Sequence, residues 1–135
     1  MTDRRILRVV CAVSIAVCGA SAPGQAAPPQ PLVIPLQATG GIQELLTGAP
    51  QTAGMRSGFV RLKPGETVGW HTTAAHEETL VILHGQGAAL IEGQAQRKFA
   101  APAAVYIPPA TRHNVKNTGE EILEYVYVVA PVKAR

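Results

Sequence analysis

Three histidines and two adjacent glutamates crowd the stretch GWHTTAAHEETLVILHG, Gly69 to Gly85, around an apolar run. A fourth histidine, His113, stands in YIPPATRHNVKN further along the chain. Side chains alternate faces along a strand, so residues two apart share a face. On that rule His71 goes with Thr73, Glu78 with Leu80 and Ile82, and His113 with Val115. The apolar companions put this face in the interior. A carboxylate and an imidazole are costly to bury there alone, and a bound cation offsets that cost. Two imidazoles and one carboxylate, with coordination positions left open, suit divalent ions; iron, manganese, zinc and nickel are not distinguished by this set.

The surrounding polar residues read differently. His76 lies two residues before Glu78 and shares its face in a continuous strand, so it is a candidate fourth ligand; its alternative is an exposed place on a loop rim. Glu77 alternates outward, into solvent. His84 has the parity of Glu78 but sits beside Gly85, where a turn role is expected. Arg56, Arg61 and Arg112 could meet an anionic substrate, though each reads first as a surface charge; Arg112, next to His113, is the best placed of them by sequence. No serine or cysteine stands in a nucleophile setting, and no glycine-rich phosphate loop is present, so the catalytic residues stay unassigned.

The elements that must position these groups are short. LVIPL (Leu32–Leu36) reads as a strand that Pro35 confines to an edge. GIQELL (Gly41–Leu46) is either a strand or one helical turn. GFVRL (Gly58–Leu62) precedes a type II turn at Pro64-Gly65, and ETVGWHT and HEETLVIL (His76–Leu83) follow as strands. AALIEGQAQRKF has the form of a hairpin turning near Glu92-Gly93. AAVYIP, RHNVKN and EILEYVYVV complete the series, the last rich in β-branched and aromatic residues. Many short strands at turn spacing, with no sustained helical period, predict an all-β sandwich or barrel.

Ahead of this domain the chain is of another kind. Arg4, Arg5 and Arg8 precede the apolar stretch Val9 to Ala20 and the small-residue run GASAPGQAAPP. That order predicts a secretory signal over 1–26, cleaved after Ala26, and hence a periplasmic or secreted protein. The apolar stretch is too short for a membrane span. Cys18 offers a lipoprotein alternative, against which Val17 stands where a small residue is expected. Both cysteines, Cys11 and Cys18, fall inside the segment, so the remaining domain relies on no disulfide. Removal of three arginines and one aspartate takes the formal charge from +3 to nearly neutral. This excludes an electrostatic case for nucleic acid or, after cleavage, an anionic membrane. Residues 27–57 then form a proline-rich leader with N-terminal edge strands, and 58–130 the main domain.

Two spacings in that domain resemble the motifs of the cupins. Gly65 is followed by five residues, then His71-Thr72-Thr73, then four residues to Glu78 and six to Gly85. The second motif's proline turn, histidine, three residues and asparagine correspond to Pro108, His113 and Asn117. The resemblance spans Phe59 to Val129. It implies a single double-stranded β-helix, or jelly roll, with His71, Glu78 and His113 as metal ligands. The family's second histidine is replaced by Thr73, so the fourth place falls to Thr73 or His76. Ala110 stands where a glycine follows the prolines. The implied function is metal-dependent chemistry on a small molecule, of dioxygenase, decarboxylase or isomerase type. The alternatives are a non-catalytic small-molecule or metal-binding cupin, or a metal-free structural one in which Glu78 pairs with a histidine. In the structural reading the chain acts as a homodimer through an edge strand such as Leu32–Leu36.

Overall fold

The computed structural model describes residues 27–132, so the segment 1–26 expected to be a secretory signal, with both cysteines, lies outside the described residues. Nine strands run in order: β1 (Gly41–Thr47), β2 (Arg56–Leu62), β3 (His71–Thr72), β4 (His76–His84), β5 (Gln86–Ile91), β6 (Arg97–Ala100), β7 (Ala103–Ile107), β8 (Arg112–Asn117) and β9 (Leu123–Pro131). They form two antiparallel sheets, β1-β2-β9-β4-β7 and β3-β8-β5-β6. The two sheets face each other as the jelly roll of a double-stranded β-helix.

Period-two alternation decides what each strand buries. Val60 and Leu62 of β2, Leu80 and Ile82 of β4, Val115 of β8, and Leu123 and Tyr125 of β9 form one buried cluster. Each aliphatic member contributes roughly 1.5–3 kcal/mol by leaving water. Register extends the pattern across the five-stranded sheet. Ile42, Val60, Tyr125 and Ile82 make one inward row; Glu44, Gly58, Tyr127 and Leu80 make the next. A third row carries Arg56, Val129 and Glu78. Polarity therefore rises row by row from a closed apolar end towards an open one.

Turns follow the sequence closely. Glu66 N–H donates to Lys63 O at 3.0 Å across Pro64-Gly65, with Gly65 at φ +81°, the geometry of a type II turn. Gln94 N–H closes the β5–β6 hairpin on Ile91 O, with Gly93 at φ +70°. The open choice at GIQELL resolves as strand β1, with an irregularity between Glu44 and Leu46.

Two expectations fail. Leu32–Leu36 is not a strand: the segment lies along β1 through the Gln43 side chain, which donates to Pro35 O and accepts from Gln37 N. Pro35 supplies no N–H for a ladder, and side-chain amides take the place of one. An edge-strand dimer through this segment loses its basis. The ETVGWHT strand is broken as well. Thr67 makes only an isolated bridge to Lys116, and Gly69 at φ +90° turns the chain before β3 resumes for two residues.

Candidate metal centre

His71 and His113 face each other directly in the β3–β8 register. Their rings lie 4.2 Å apart at centroids, tilted by 58°. Glu78 reaches them from the opposite sheet. Its Oε2 lies 3.2 Å from His113 Nε2 and 4.0 Å from His71 Nε2. One ligand atom from each of the three residues falls within 4.8 Å of the others. His113 and Glu78 are buried, whereas His71 is exposed towards the cavity.

The other ring nitrogens settle what these groups present to one another. His71 Nδ1 lies 3.0 Å from Gly69 O, and His113 Nδ1 lies 3.3 Å from Thr111 O. A carbonyl only accepts, so each Nδ1 carries the proton and each neutral ring offers an Nε2 lone pair. Two lone pairs and a carboxylate then converge on one point. His113 Nε2 has no accessible surface and no aligned hydrogen-bond partner despite its 3.2 Å approach to Glu78. Either a proton or a cation must relieve this arrangement. Burial lowers the His113 pKa, but contact with Glu78, the Thr111 carbonyl and the Glu78 charge together raise it above 6.5. The donor set fits a divalent ion, with carbonyl-bound Nδ1–H groups fixing both rings as ligand-orienting partners do.

Thr73 does not join the trio. Its hydroxyl donates to Pro108 O at 2.9 Å and accepts from Thr111 N–H at 3.0 Å. Thr73 N–H donates to Thr111 O, and Ala110 N–H to Ala74 O at 2.8 Å. The residue at the family's second histidine position thus staples the β3–β4 turn to the β7–β8 turn. Face-sharing between His71 and Thr73 breaks down because β3 ends at Thr72 and Ala74 takes φ +48°. His76 lies on the cavity wall at the start of β4, outside the group of three.

A cavity of about 570 Å³ opens in front of the trio, within the size range of small-molecule sites. Val60, Val68, Val115 and Val129 give it apolar walls, and Tyr125 and Tyr127 project phenols into it. Neither phenol hydroxyl forms a hydrogen bond among the described residues; the tyrosine that does is Tyr106, which donates to Glu77. Trp70, 47% exposed, stands at the cavity edge with the Arg112 guanidinium 5.5 Å from its ring centroid.

The arginines sort differently from the sequence expectation. Arg112 is paired with Glu92 at 2.6 Å, and Arg61 with Glu124 at 2.7 Å. Neither lines the cavity; Arg56 does. Its signal was present in the sequence as parity, two residues before Gly58 and four before Val60, but strand β2 had to be extended to Arg56 to read it. His84 has the turn role expected of it, with Nδ1–H donating to Ile122 O at 3.0 Å beside the β4 irregularity.

The comparisons with known proteins agree with this architecture. A family model described as "Cupin domain" matches residues 58–129. A Streptomyces cyaneus protein named polyketide synthase CurC is 30% identical over 96 residues, covering 69% of this chain and 60% of that protein. The chain therefore spans less than two thirds of that relative's length. An RmlC-like cupin family protein with a double-stranded beta-helix fold, from Methanocaldococcus jannaschii, superposes with a TM-score of 0.66. It is 22% identical, over 75% of this chain and 91% of that one. A Thermotoga maritima protein described as a predicted oxalate decarboxylase gives a TM-score of 0.55 at 17% identity, over 74% of this chain and 100% of that one. At these identities the structural likenesses speak for the fold alone. The family match and the Streptomyces relative, together with the two-sheet architecture above, make this chain a member of the cupin domain family.

Proposed function

We propose that this cupin is a metal-dependent enzyme in which His71, Glu78 and His113 hold one divalent ion before a small oxygen-bearing molecule. The observation that carries the reading is the convergence of two Nε2 lone pairs and a carboxylate, with both Nδ1 positions engaged by carbonyls. Iron, manganese, zinc and nickel all accept such a set. When bound, the ion supplies Lewis-acid or redox chemistry, which opens decarboxylation, oxygenation and isomerisation to the site. The chain's own groups do the positioning. Valines 60, 68, 115 and 129 exclude water from an apolar body. Tyr125, its pKa pushed far up by burial and by the Glu78 charge, stays protonated and offers an O–H donor. The basic, apolar and small-residue order of 1–26 supports export of this activity from the cytoplasm as part of the same proposal.

Metal analysis of protein purified without chelator tests the reading, with about one ion per chain expected from a single site. His71→Ala is the cleaner variant because its ring is exposed and no core cavity results. It should lose the ion and keep its β-sheet circular dichroism. A wild-type metal load in both His71→Ala and Glu78→Gln would overturn the assignment.

A further inference from the structure

Arg56, Val129 and Glu78 occupy one inward row across β2, β9 and β4. Arg56 and Glu78 thus face the same cavity two strands apart, about 10 Å between backbones. Arg61 and Arg112 are each tied to a glutamate, whereas Arg56 has no such partner among the described residues. One row further in, the Tyr127 ring lies over Gly58: a Cβ on Gly58 would meet the ring and its hydroxyl at 2.5–2.6 Å. The missing side chain seats this phenol on the β2 side of the cavity, beside Arg56. Desolvation, its largest influence, raises the Tyr127 pKa, so the phenol stays an O–H donor.

From this geometry we infer that the cavity takes a small monocarboxylate with a compact apolar body, its carboxylate held by Arg56 and the Tyr127 hydroxyl. The far end of such a molecule, carrying a second oxygen, reaches the His71, Glu78 and His113 trio. The assignment names a substrate class for the proposed metal site and rests on that reading for the far end alone. Guanidinium and phenol donors match a carboxylate in number and charge. Val129, which stands between Arg56 and Glu78 in the register, and the other valines lining the cavity match a ring or short chain. Glu44, facing the same end from β1, opposes the anion and narrows the seat to a single negative charge.

Calorimetric titration with 4-hydroxybenzoate and its neutral counterpart 4-hydroxybenzyl alcohol tests the seat, on both zinc-loaded and chelated protein. The carboxylate is expected to bind wild type about tenfold more tightly than the alcohol, the scale of one charge-assisted hydrogen bond. Arg56→Gln should remove that preference and leave zinc content unchanged, while Glu44→Gln should tighten carboxylate binding. Equal binding of the two probes to wild type, an unaltered preference in Arg56→Gln, or no binding of 4-hydroxybenzoate at millimolar concentration overturns the inference. Loss of the metal reading alone looks different: zinc is absent, yet the Arg56-dependent preference persists in chelated protein.

Discussion

Thr73 shows how one side chain can be chemically silent and still hold the site. Its hydroxyl bonds both Pro108 O and Thr111 N–H, adding a side-chain staple to the backbone bonds from Thr73 N–H to Thr111 O and from Ala110 N–H to Ala74 O that join the same two turns. Thr73→Val keeps the shape and removes both bonds. It is expected to cost about 1–3 kcal/mol, the loss of two part-buried hydrogen bonds at about 0.5–1.5 kcal/mol each. Chemical denaturation would measure the loss, and metal content should survive it. His113 gives the second prediction at this scale. Its folded pKa lies above 6.5, so in metal-free protein its stabilisation is fully present below 6.5 and is lost as pH rises through the folded value. Metal binding requires the neutral ring and runs in the opposite sense. Calorimetry at pH 6 and pH 8 should show chelated protein losing thermal stability with rising pH, and metal-added protein gaining a larger shift at pH 8. A chelated protein that becomes more stable across that interval contradicts the Glu78–His113 pairing. The identities of His71, Glu78 and His113 were legible in the sequence because each lies in a short motif whose internal spacing resembles that of the cupins, and Glu78 and His113 have apolar companions two residues on. The role of Thr73 was not, since its partners lie more than 30 residues away.

At the scale of elements, backbone conformation separates what patterning revealed from what it hid. Strands β4 and β9 were readable because alternation and β-branched residues agree over nine residues each. ETVGWHT failed because Gly69 leaves the β region, and LVIPL failed because a side-chain amide replaced the ladder. Opposite glycine exchanges probe two of these turns. Gly85, at φ +79°, would place a Cβ 2.7 Å from Ile122 O, and backbone cannot yield cheaply. Gly85→Ala is expected to cost at least about 1–2 kcal/mol from the left-handed conformation, with the clash added. Ala110 already sits at φ +53°. Ala110→Gly should leave stability unchanged or raise it by up to about 1 kcal/mol, whereas Ala110→Val should lower it. Thermal unfolding of the three variants decides the matter; a stabilised Gly85→Ala would contradict the close approach.

For the whole molecule, the arrangement of polarity between the two ends of the barrel organises function. Leu62, Ile82 and Leu123 close one end, and the cavity with its trio, phenols and Arg56 occupies the other. Leu80→Ala, in the fully buried cluster, is expected to cost about 2–5 kcal/mol and to leave His71, Glu78 and His113 themselves intact. Denaturation midpoints and metal analysis on the same sample separate the two effects. The secretory reading of 1–26 predicts a product beginning at Ala27 when the full sequence is expressed in a host with a secretory pathway. N-terminal mass analysis of the periplasmic fraction checks this, and a lipid-modified Cys18 would mark the other processing route instead.

The sequence by itself determined the strand-rich class, the family spacing and the three residues that meet. Strand periodicity and turn chemistry act over a few residues and are written in consecutive positions. Only the tertiary structure decided that Thr73 fastens two turns, that Arg112 is spent on Glu92 and Trp70, and that Arg56 faces the cavity instead. Those outcomes depend on register between strands distant in the chain. A shift of one residue there exchanges the inner face for the outer, and no local pattern records it.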